Sequence, residues 1–439
     1  MKKIRIVVFA SILHDSSSVM NSRDQLFDGL RSLAEIEFIY PSTLASNSPA
    51  FNRFIDGGSL SGPASPLAET EECKTVCFIA TGGTEEIFRN YLDILPRPVT
   101  LISDGLHNSF AASLEIASFL HAQGIRSRNF NAPLDNSPAF YEELGEHLFG
   151  KKQGEEMLSR DCPEMEKMPR QTARAMEKKR IGLIGGESSW LISSGIDRNE
   201  VAKRTGATFI DIPIRELERA FARVSDSDLE VARICQEKMS LISPDRDEDD
   251  LREAAKMYIA LKDICTKYTL SALTLKCFDI IGSCHTTACL AMAMLNSEGI
   301  VCGCEGDIPA LWTMVYANVV YGQPAFMANP ASTSRSELTV DLAHCTIPLS
   351  MVHGYRLPSH FESRSGIGVA GSVPSGSYRL LKICGSGLDR LYSAEGDIIM
   401  NTNIPQRCRT QVRFKFRNER DFNDFLTVCK GNHLVIVKQ

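Results

Sequence analysis

The stretch Ile300 to Pro330, IVCGCEGDIPALWTMVYANVVYGQPAFMANP, constrains the fold more than any other part of the chain. Ile300 to Cys304 is a short apolar run, Asp307 stands where a helix N-cap belongs, and Ile308 to Tyr321 is an apolar helix closed by Gly322. Pro324 to Ala328 reads as the next strand. A strand, a helix and a parallel strand in this order bring both carboxyl-terminal strand ends to one edge of a sheet, where open α/β folds bind ligands. Glu305 and Asn329 stand at those two ends.

The same alternation runs through the first three quarters of the chain. Ile4 to Phe9, Ile36 to Tyr40, Thr75 to Ala80, Val99 to Ser103 and Ile125 to Phe130 read as strands, with helices at Asp24 to Ser32 and around Ala111 to Ala122. Gly57 to Pro66 is a surface loop by composition. Thr81-Gly82-Gly83-Thr84-Glu85 turns from a strand into a helix, either a plain turn or a place where a ligand reaches exposed amides, with Gly83 the candidate contact. Residues 1–150 form one flavodoxin-like unit. Residues 151–175 are charged and poor in branched apolar side chains, as in a linker helix with a solvated face. Arg180 to Gly185, RIGLIG, restarts the pattern and Thr208 to Ile212 continues it; Asp250 to Lys267 is a long amphipathic helix. Ala272 to Leu275 delivers Lys276, Cys277 and Phe278 to the edge that holds Glu305, and Thr286 to Leu295 is a buried helix. A middle α/β domain over residues 176–340 follows.

After that the character changes. Leu338 to Cys345, Gly368 to Val373, Tyr378 to Ile383 and Val412 to Phe416 are short runs separated by Gly, Ser and Pro. They predict an antiparallel β-barrel-like domain over residues 341–439 with one terminal helix, Phe422 and Phe425 on its inner face, and a last strand at Leu434 to Val437. The fold class expected is therefore two flavodoxin- or Rossmann-like parallel-sheet domains followed by that β-domain.

Composition sets bounds on function. A net charge of -6 supplies no polyanion-binding surface, so nucleic acid is not an expected partner. Fourteen cysteines, scattered and mostly inside apolar segments, fit small core side chains in a reducing cytoplasm better than a disulfide framework. No apolar stretch reaches the roughly 20 residues of a membrane span. The opening run from Ile6 to Leu13 lacks a cleavage site and reads as a first strand rather than a signal peptide.

The pattern Cys302-x-x-Glu305-x-Asp307, with Thr313-Met314 in the helix and Gly322-x-Pro324 after it, resembles the L-fucose isomerase family and its L-fucose isomerase-like relatives, kin to the arabinose isomerases. Glu187-Ser188-Ser189-Trp190-Leu191-Ile192 resembles the opening of the middle domain in those relatives. The resemblance implies a metal-dependent aldose-ketose isomerase, an intramolecular oxidoreductase of carbohydrate metabolism, with Glu305 as metal ligand and proton-transfer base. Asn329 occupies the place of an aspartate that shares both roles. His433, in the Asn432-His433 turn, matches a histidine that completes the metal site. The same resemblance implies Mn2+ or Mg2+, a small-molecule sugar as substrate, and a homo-oligomer, trimer or hexamer, with shared active sites that the Thr81 to Glu85 loop would enter from a neighbour.

Several residues keep two readings. Trp190 either stacks on a sugar or anchors packing. His344 binds substrate hydroxyls or makes a structural hydrogen bond. Asp307 is an N-cap or a substitute carboxylate. Glu362, beside His360, is a pocket acid or a strand charge. An enediol isomerisation needs a base near C1 and C2 and an electrophile on O1 and O2; Glu305, the Asn329 amide oxygen and His433 make a ligand set poor in charge for it. A catalytically reduced sugar-binding or regulatory relative, or an epimerisation or retro-aldol step, are the alternatives.

Overall fold

The structure is a computed structural model, and it describes residues 2–11, 16–39, 66–150, 165–167, 176–177, 179–427 and 430–439. The Gly57 loop and the linker expected at 151–175 fall almost wholly outside the described residues, as do Tyr40 and Cys429.

Five parallel strands build the first domain: β1 (Lys3–Phe9), β2 (Glu35–Ile39), β3 (Cys73–Ile79), β4 (Val99–Asp104) and β5 (Ser127–Ala132), in the order β2-β1-β3-β4-β5. β1 shows why its sequence is apolar almost throughout. Ile4, Ile6 and Val8 pack into a cluster on one face, with Phe27 and Phe78, while Val7 and Phe9 pack into another on the opposite face, with Ile79 and Leu101. A strand covered on both faces cannot alternate polar with apolar residues. Two helices of this domain matter below, α1 (Glu85–Tyr91) and α2 (Ser109–Ala122).

The middle domain is a second parallel sheet, β6 (Arg180–Ile184), β7 (Thr208–Ile212), β8 (Ala272–Leu275) and β9 (Val301–Gly303), ordered β9-β8-β6-β7. Its helices include α3 (Glu248–Tyr268), opened by an Asp247–Asp250 capping box, α4 (Cys289–Ser297) and α5 (Ile308–Tyr321). α5 is buried all round from Ile308 to Ala317 because it lies between this sheet and the next domain. Thr313 fixes it there: its hydroxyl donates to the Pro309 carbonyl at 2.7 Å and accepts the Ile383 amide at 2.8 Å.

That next domain is a closed six-stranded antiparallel barrel. Its strands are β10 (Ala325–Ser334), β11 (Thr339–His344), β12 (Gly376–Cys384), β13 (Arg390–Asn401), β14 (Thr410–Phe416) and β15 (Leu434–Lys438). They pair in the cycle β12-β15-β10-β11-β14-β13 and back to β12, so no barrel strand is left with an unpaired edge. The helix α6 (Glu419–Thr427) buries Phe422 and Phe425.

One element differs from the sequence reading in a way that bears on the site. β10 is not a further parallel strand of the middle sheet: it pairs antiparallel with β11 and β15. The barrel thus takes in Ala325–Ser334, which the sequence assigns to the middle domain, beside Thr339–His344, which falls in the Leu338 to Cys345 run already read as part of the β-domain. Pro330 explains the irregularity within β10, where the register shifts between Pro330 and Ser332; a residue with no amide proton sits best at a bulge. The described cysteines form no disulfide. No helix among the described residues is long and apolar enough to cross a membrane.

Candidate metal centre and adjoining cleft

The site begins at the turn from β9 to α5, where the chain must leave the sheet and enter a helix within four residues. Glu305 (φ 60°) and Gly306 (φ 63°) both take left-handed backbone. For a glutamate this costs about 1–2 kcal/mol, and the surrounding contacts hold it there. The Ser188 hydroxyl donates to the Glu305 carbonyl, the Gly306 amide to Leu275 O at 3.0 Å, and the Asp307 amide to Cys304 O at 3.2 Å. Only glycine fits at 306, since a Cβ would lie 2.8 Å from Gly186 O and 2.9 Å from Ser188 N.

Two histidines from the barrel flank the Glu305 carboxylate. His344 ends β11 and His433 precedes β15; their Nε2 atoms lie 3.5 Å from Glu305 Oε1 and Oε2 respectively. At that distance neither Nε2 makes a directed hydrogen bond. Each Nδ1 is occupied instead, His433 by Asp307 Oδ2 at 2.9 Å and His344 by Thr346 Oγ1 at 2.9 Å. Because a carboxylate only accepts, Asp307 keeps the proton on His433 Nδ1, so Nε2, which faces Glu305, is the nitrogen that would give up its proton to bind a metal. One donor atom each from Glu305, His344 and His433 lie within 4.8 Å of one another, so the three could hold a metal ion. The Asn329 Oδ1 is buried without a hydrogen-bond partner and lines the same cleft. A carboxylate, an amide oxygen and two imidazole nitrogens, the His433 one once deprotonated, are a donor set that fits a divalent metal ion.

Electrostatics agree with a site short of a cation. Burial alone would lower the His433 pKa, but Glu305 and Asp307 outweigh it and raise it to about 9. Burial would raise the Glu305 pKa, yet His433 and His344 hold it well below the usual carboxylate range. Asp307 pairs further with the buried Lys382, whose Nζ lies 3.7 Å from Oδ2, and accepts the Ala310 amide at 2.7 Å as N-cap of α5. It therefore fills the capping role and orients a histidine at once.

The cleft over this centre draws its walls from all three domains. Gly82, Gly83, Glu85 and Asn108 come from the first, Trp190 and Phe278 from the middle one, and Asn329, Glu362 and Asn432 from the barrel and its loops. The Thr81 to Glu85 loop thus lines the cleft of its own chain, whereas the sequence resemblance implied a neighbour's. Trp190 is 4% exposed and meets Phe278 edge-on, so it packs and lines the cleft together. The interior is narrow, about 20 Å³, enough for about one ordered water. Two further acids face it. Burial, with Glu115 and Glu305 nearby, pushes the Glu85 carboxyl up to about 8. Burial, with Glu305 and Cys345 nearby, does the same to Glu362, whose Oε1 accepts the Asn108 amide at 2.7 Å.

The structure therefore brings together Glu305, Asn329, His433, His344, Asp307, Gly83 and Trp190. Lys276 instead pairs with Asp279 at 3.4 Å, against Gly185. His433, read in sequence as a turn residue, is fully buried. Glu85, Asn108 and Asn432 were missed as cleft residues. Glu85 closes the Thr-Gly-Gly-Thr-Glu turn and could have been suspected; Asn108, in left-handed backbone before α2, gave no signal.

No protein-family model matches the sequence. Among curated proteins, the chain is 25% identical over 214 residues to a sulfoquinovose isomerase of Clostridium sp. (strain MSTE9), covering 44% of this chain and 47% of that protein. It is 25% identical over 176 residues to a sulfoquinovose isomerase of Alkalicoccus urumqiensis, covering 39% of this chain and 37% of the other. The chain thus matches less than half the length of each of these relatives, and both bear the name of a sugar isomerase.

Proposed function

We propose that this chain is a divalent-metal-dependent aldose-ketose isomerase acting on a monosaccharide. The observation that carries the reading is the meeting of Glu305, His344 and His433 around one point, beside the unpartnered Asn329 oxygen. Glu305, His344, His433 and Asn329 would hold Mn2+ or Mg2+, which polarises the oxygens at C1 and C2 of an open-chain sugar when bound. The names of the two relatives support the reaction class. Asn108, Asn432 and Asn329 offer amides to sugar hydroxyls, and Trp190 offers a ring face or edge. Glu362, its carboxyl protonated up to about pH 8, stands in the cleft as the group that gives and takes a proton at the substrate oxygens, while Glu305 serves the carbon-bound proton. Admitting a sugar requires the narrow cleft to widen. The described lining holds acids and amides, with no lysine or arginine, so a neutral aldose fits the reacting end of the cleft better than an anionic group. The assembly consistent with this reading is a cytoplasmic homo-oligomer.

Asn329 favours a second reading, a relative that binds sugar with reduced catalysis, because an amide replaces the resembled family's second carboxylate. Calorimetric titration of Mn2+ into metal-stripped protein tests the first step. Binding in the parent, lost in Glu305→Gln and in His433→Ala, is expected; absence of binding in the parent would end the metal-dependent reading. Screening neutral and sulfonated aldoses and ketoses then separates the two readings. Isomerisation by the parent supports the enzyme, while activity only in Asn329→Asp supports the reduced relative.

A further inference from the structure

Beyond Asp307 and the Gly431 to His433 segment lies a second cavity, about 210 Å³, with chemistry opposite to that of the metal cleft. It opens between α2, the Ser193 to Gly195 loop, and the barrel strands β12 and β13. Among the described residues its walls carry Lys382, Arg390, Lys430 and the His121 imidazole, and no carboxylate. In a chain of net charge -6, three cations facing one space with no acid among its described lining residues is a segregation of charge.

Lys382 decides what the space is for. Its side chain is 1% exposed, and its nearest acid is Asp307 Oδ2 at 3.7 Å. Its Nζ nevertheless has no hydrogen-bond acceptor, and the Ser193 hydroxyl, also on the cavity wall and beside the Glu115 carboxylate, makes no well-directed hydrogen bond. An ammonium carries three donors, and burying them unmet is costly unless an acceptor arrives. Lys430 is held in place by donating to the Phe425 carbonyl and lying over the Phe425 and Tyr392 rings, 4.3 Å and 5.1 Å from their centroids. It adds fixed charge from the wall. Arg390 stands exposed at the start of β13, suited to meet an incoming group.

We propose that this cavity is an anion-binding site that takes the phosphate, sulfonate or carboxylate group of a small molecule, with Lys382, Arg390 and Ser193 as its donors. The site is separate from the metal cleft and does not rest on the isomerase reading. An oxyanion there supplies acceptors to the two buried donors and a counter-charge to the cations, each charge-assisted contact being stronger than a neutral one.

The test is calorimetric titration of inorganic phosphate, methanesulfonate and acetate, separately, into metal-stripped full-length protein at low ionic strength, so that neither a bound metal nor screening salt competes. One saturable site for at least one of the three anions is expected, and the strongest of them names the chemical class. Arg390→Gln, at an exposed position, is expected to fold and to weaken that binding about tenfold; Lys382→Met weakens it at least as much. Should Lys382→Met fail to fold, Arg390→Gln decides alone. Absence of saturable binding for all three anions in the parent, or binding that Arg390→Gln leaves unchanged, overturns the proposal.

Discussion

Two glutamates in the metal cleft, Glu85 and Glu362, titrate far above their usual range, and each makes a separate prediction. Glu85 ionises near 4.5 when exposed but at about 8 in the fold, because burial disfavours its charge. The folded protein therefore keeps a proton that the unfolded chain releases, so this residue's contribution is fully favourable below about pH 4.5 and is lost as pH rises toward 8. Gln cannot ionise. Metal-free Glu85→Gln should match the parent near pH 4.5 and exceed it by about 3–5 kcal/mol at pH 8 in chemical denaturation. Equal stabilities at both pH values would show that Glu85 is not buried as described. Glu362 is predicted from its place rather than its cost. Hydrogen-bonded by Asn108 and facing Glu305 across the cleft, it is the acid best placed for proton transfer once residue 329 is an amide. Glu362→Gln should lower kcat by about a hundredfold while Mn2+ affinity stays as in the parent. A drop in metal affinity of the same size would make Glu362 a support for the centre instead.

At the scale of elements, the turn from β9 to α5 determines whether a centre forms at all. Gly306→Ala places a Cβ against Gly186 O and Ser188 N, both backbone atoms that cannot swing aside, in a backbone already left-handed. Its expected effect is a loss of about 2–4 kcal/mol of stability and at least tenfold weaker Mn2+ binding, read by thermal unfolding and calorimetry. An unchanged metal affinity would mean that Glu305 does not depend on this turn. The turn was legible in sequence, because Asp307 and Gly322 punctuate α5 and Glu305 sits between an apolar run and an N-cap. What followed α5 was not. Ala325 to Ala328 is an apolar run whether it joins a parallel sheet or a barrel, and which strand it will pair with is settled by residues more than a hundred positions away, in β15. The long strand β13 was also unread: Glu395 and Asp397 take outward positions, but Gly396 stands between them at a buried position where an apolar side chain would have marked the strand. His433 was found through its Asn-His context, but its complete burial follows from Asp307 and His344 closing over it, a tertiary fact that no local pattern contains.

At the scale of the molecule, the centre needs all three domains in register, since Glu305 belongs to one, both histidines to another and Glu85 to the third. Asp341 supports one seam, holding Arg407 at 2.7 Å while the Arg407 Nε donates to Gly105 O of the first domain at 2.6 Å. Glu115 supports the other. Buried in α2, it accepts the Ser193 amide at 2.7 Å, the Ser194 hydroxyl at 3.0 Å and the Asn432 amide at 2.9 Å, so one carboxyl ties the first domain to the middle one and to the segment that carries His433. Burial pushes its pKa up even so, because the Ser193 amide and the Lys382 charge offset only part of the desolvation. Glu115→Ala leaves two buried amides and a hydroxyl unmet, at about 1–3 kcal/mol each before water enters the gap. The expected result is a loss of about 3–5 kcal/mol in chemical denaturation, with Mn2+ binding about tenfold weaker below the transition, because Asn432 no longer fixes the approach of His433. Glu115→Gln keeps an acceptor oxygen and should fall between the two. If Glu115→Ala weakened stability but left Mn2+ binding untouched, Asp307 and the Ser118 hydroxyl of α2, which accepts the Gly431 amide at 2.9 Å, would suffice to hold the His433 segment, and the Glu115 carboxyl would serve the seam between domains without serving the metal centre.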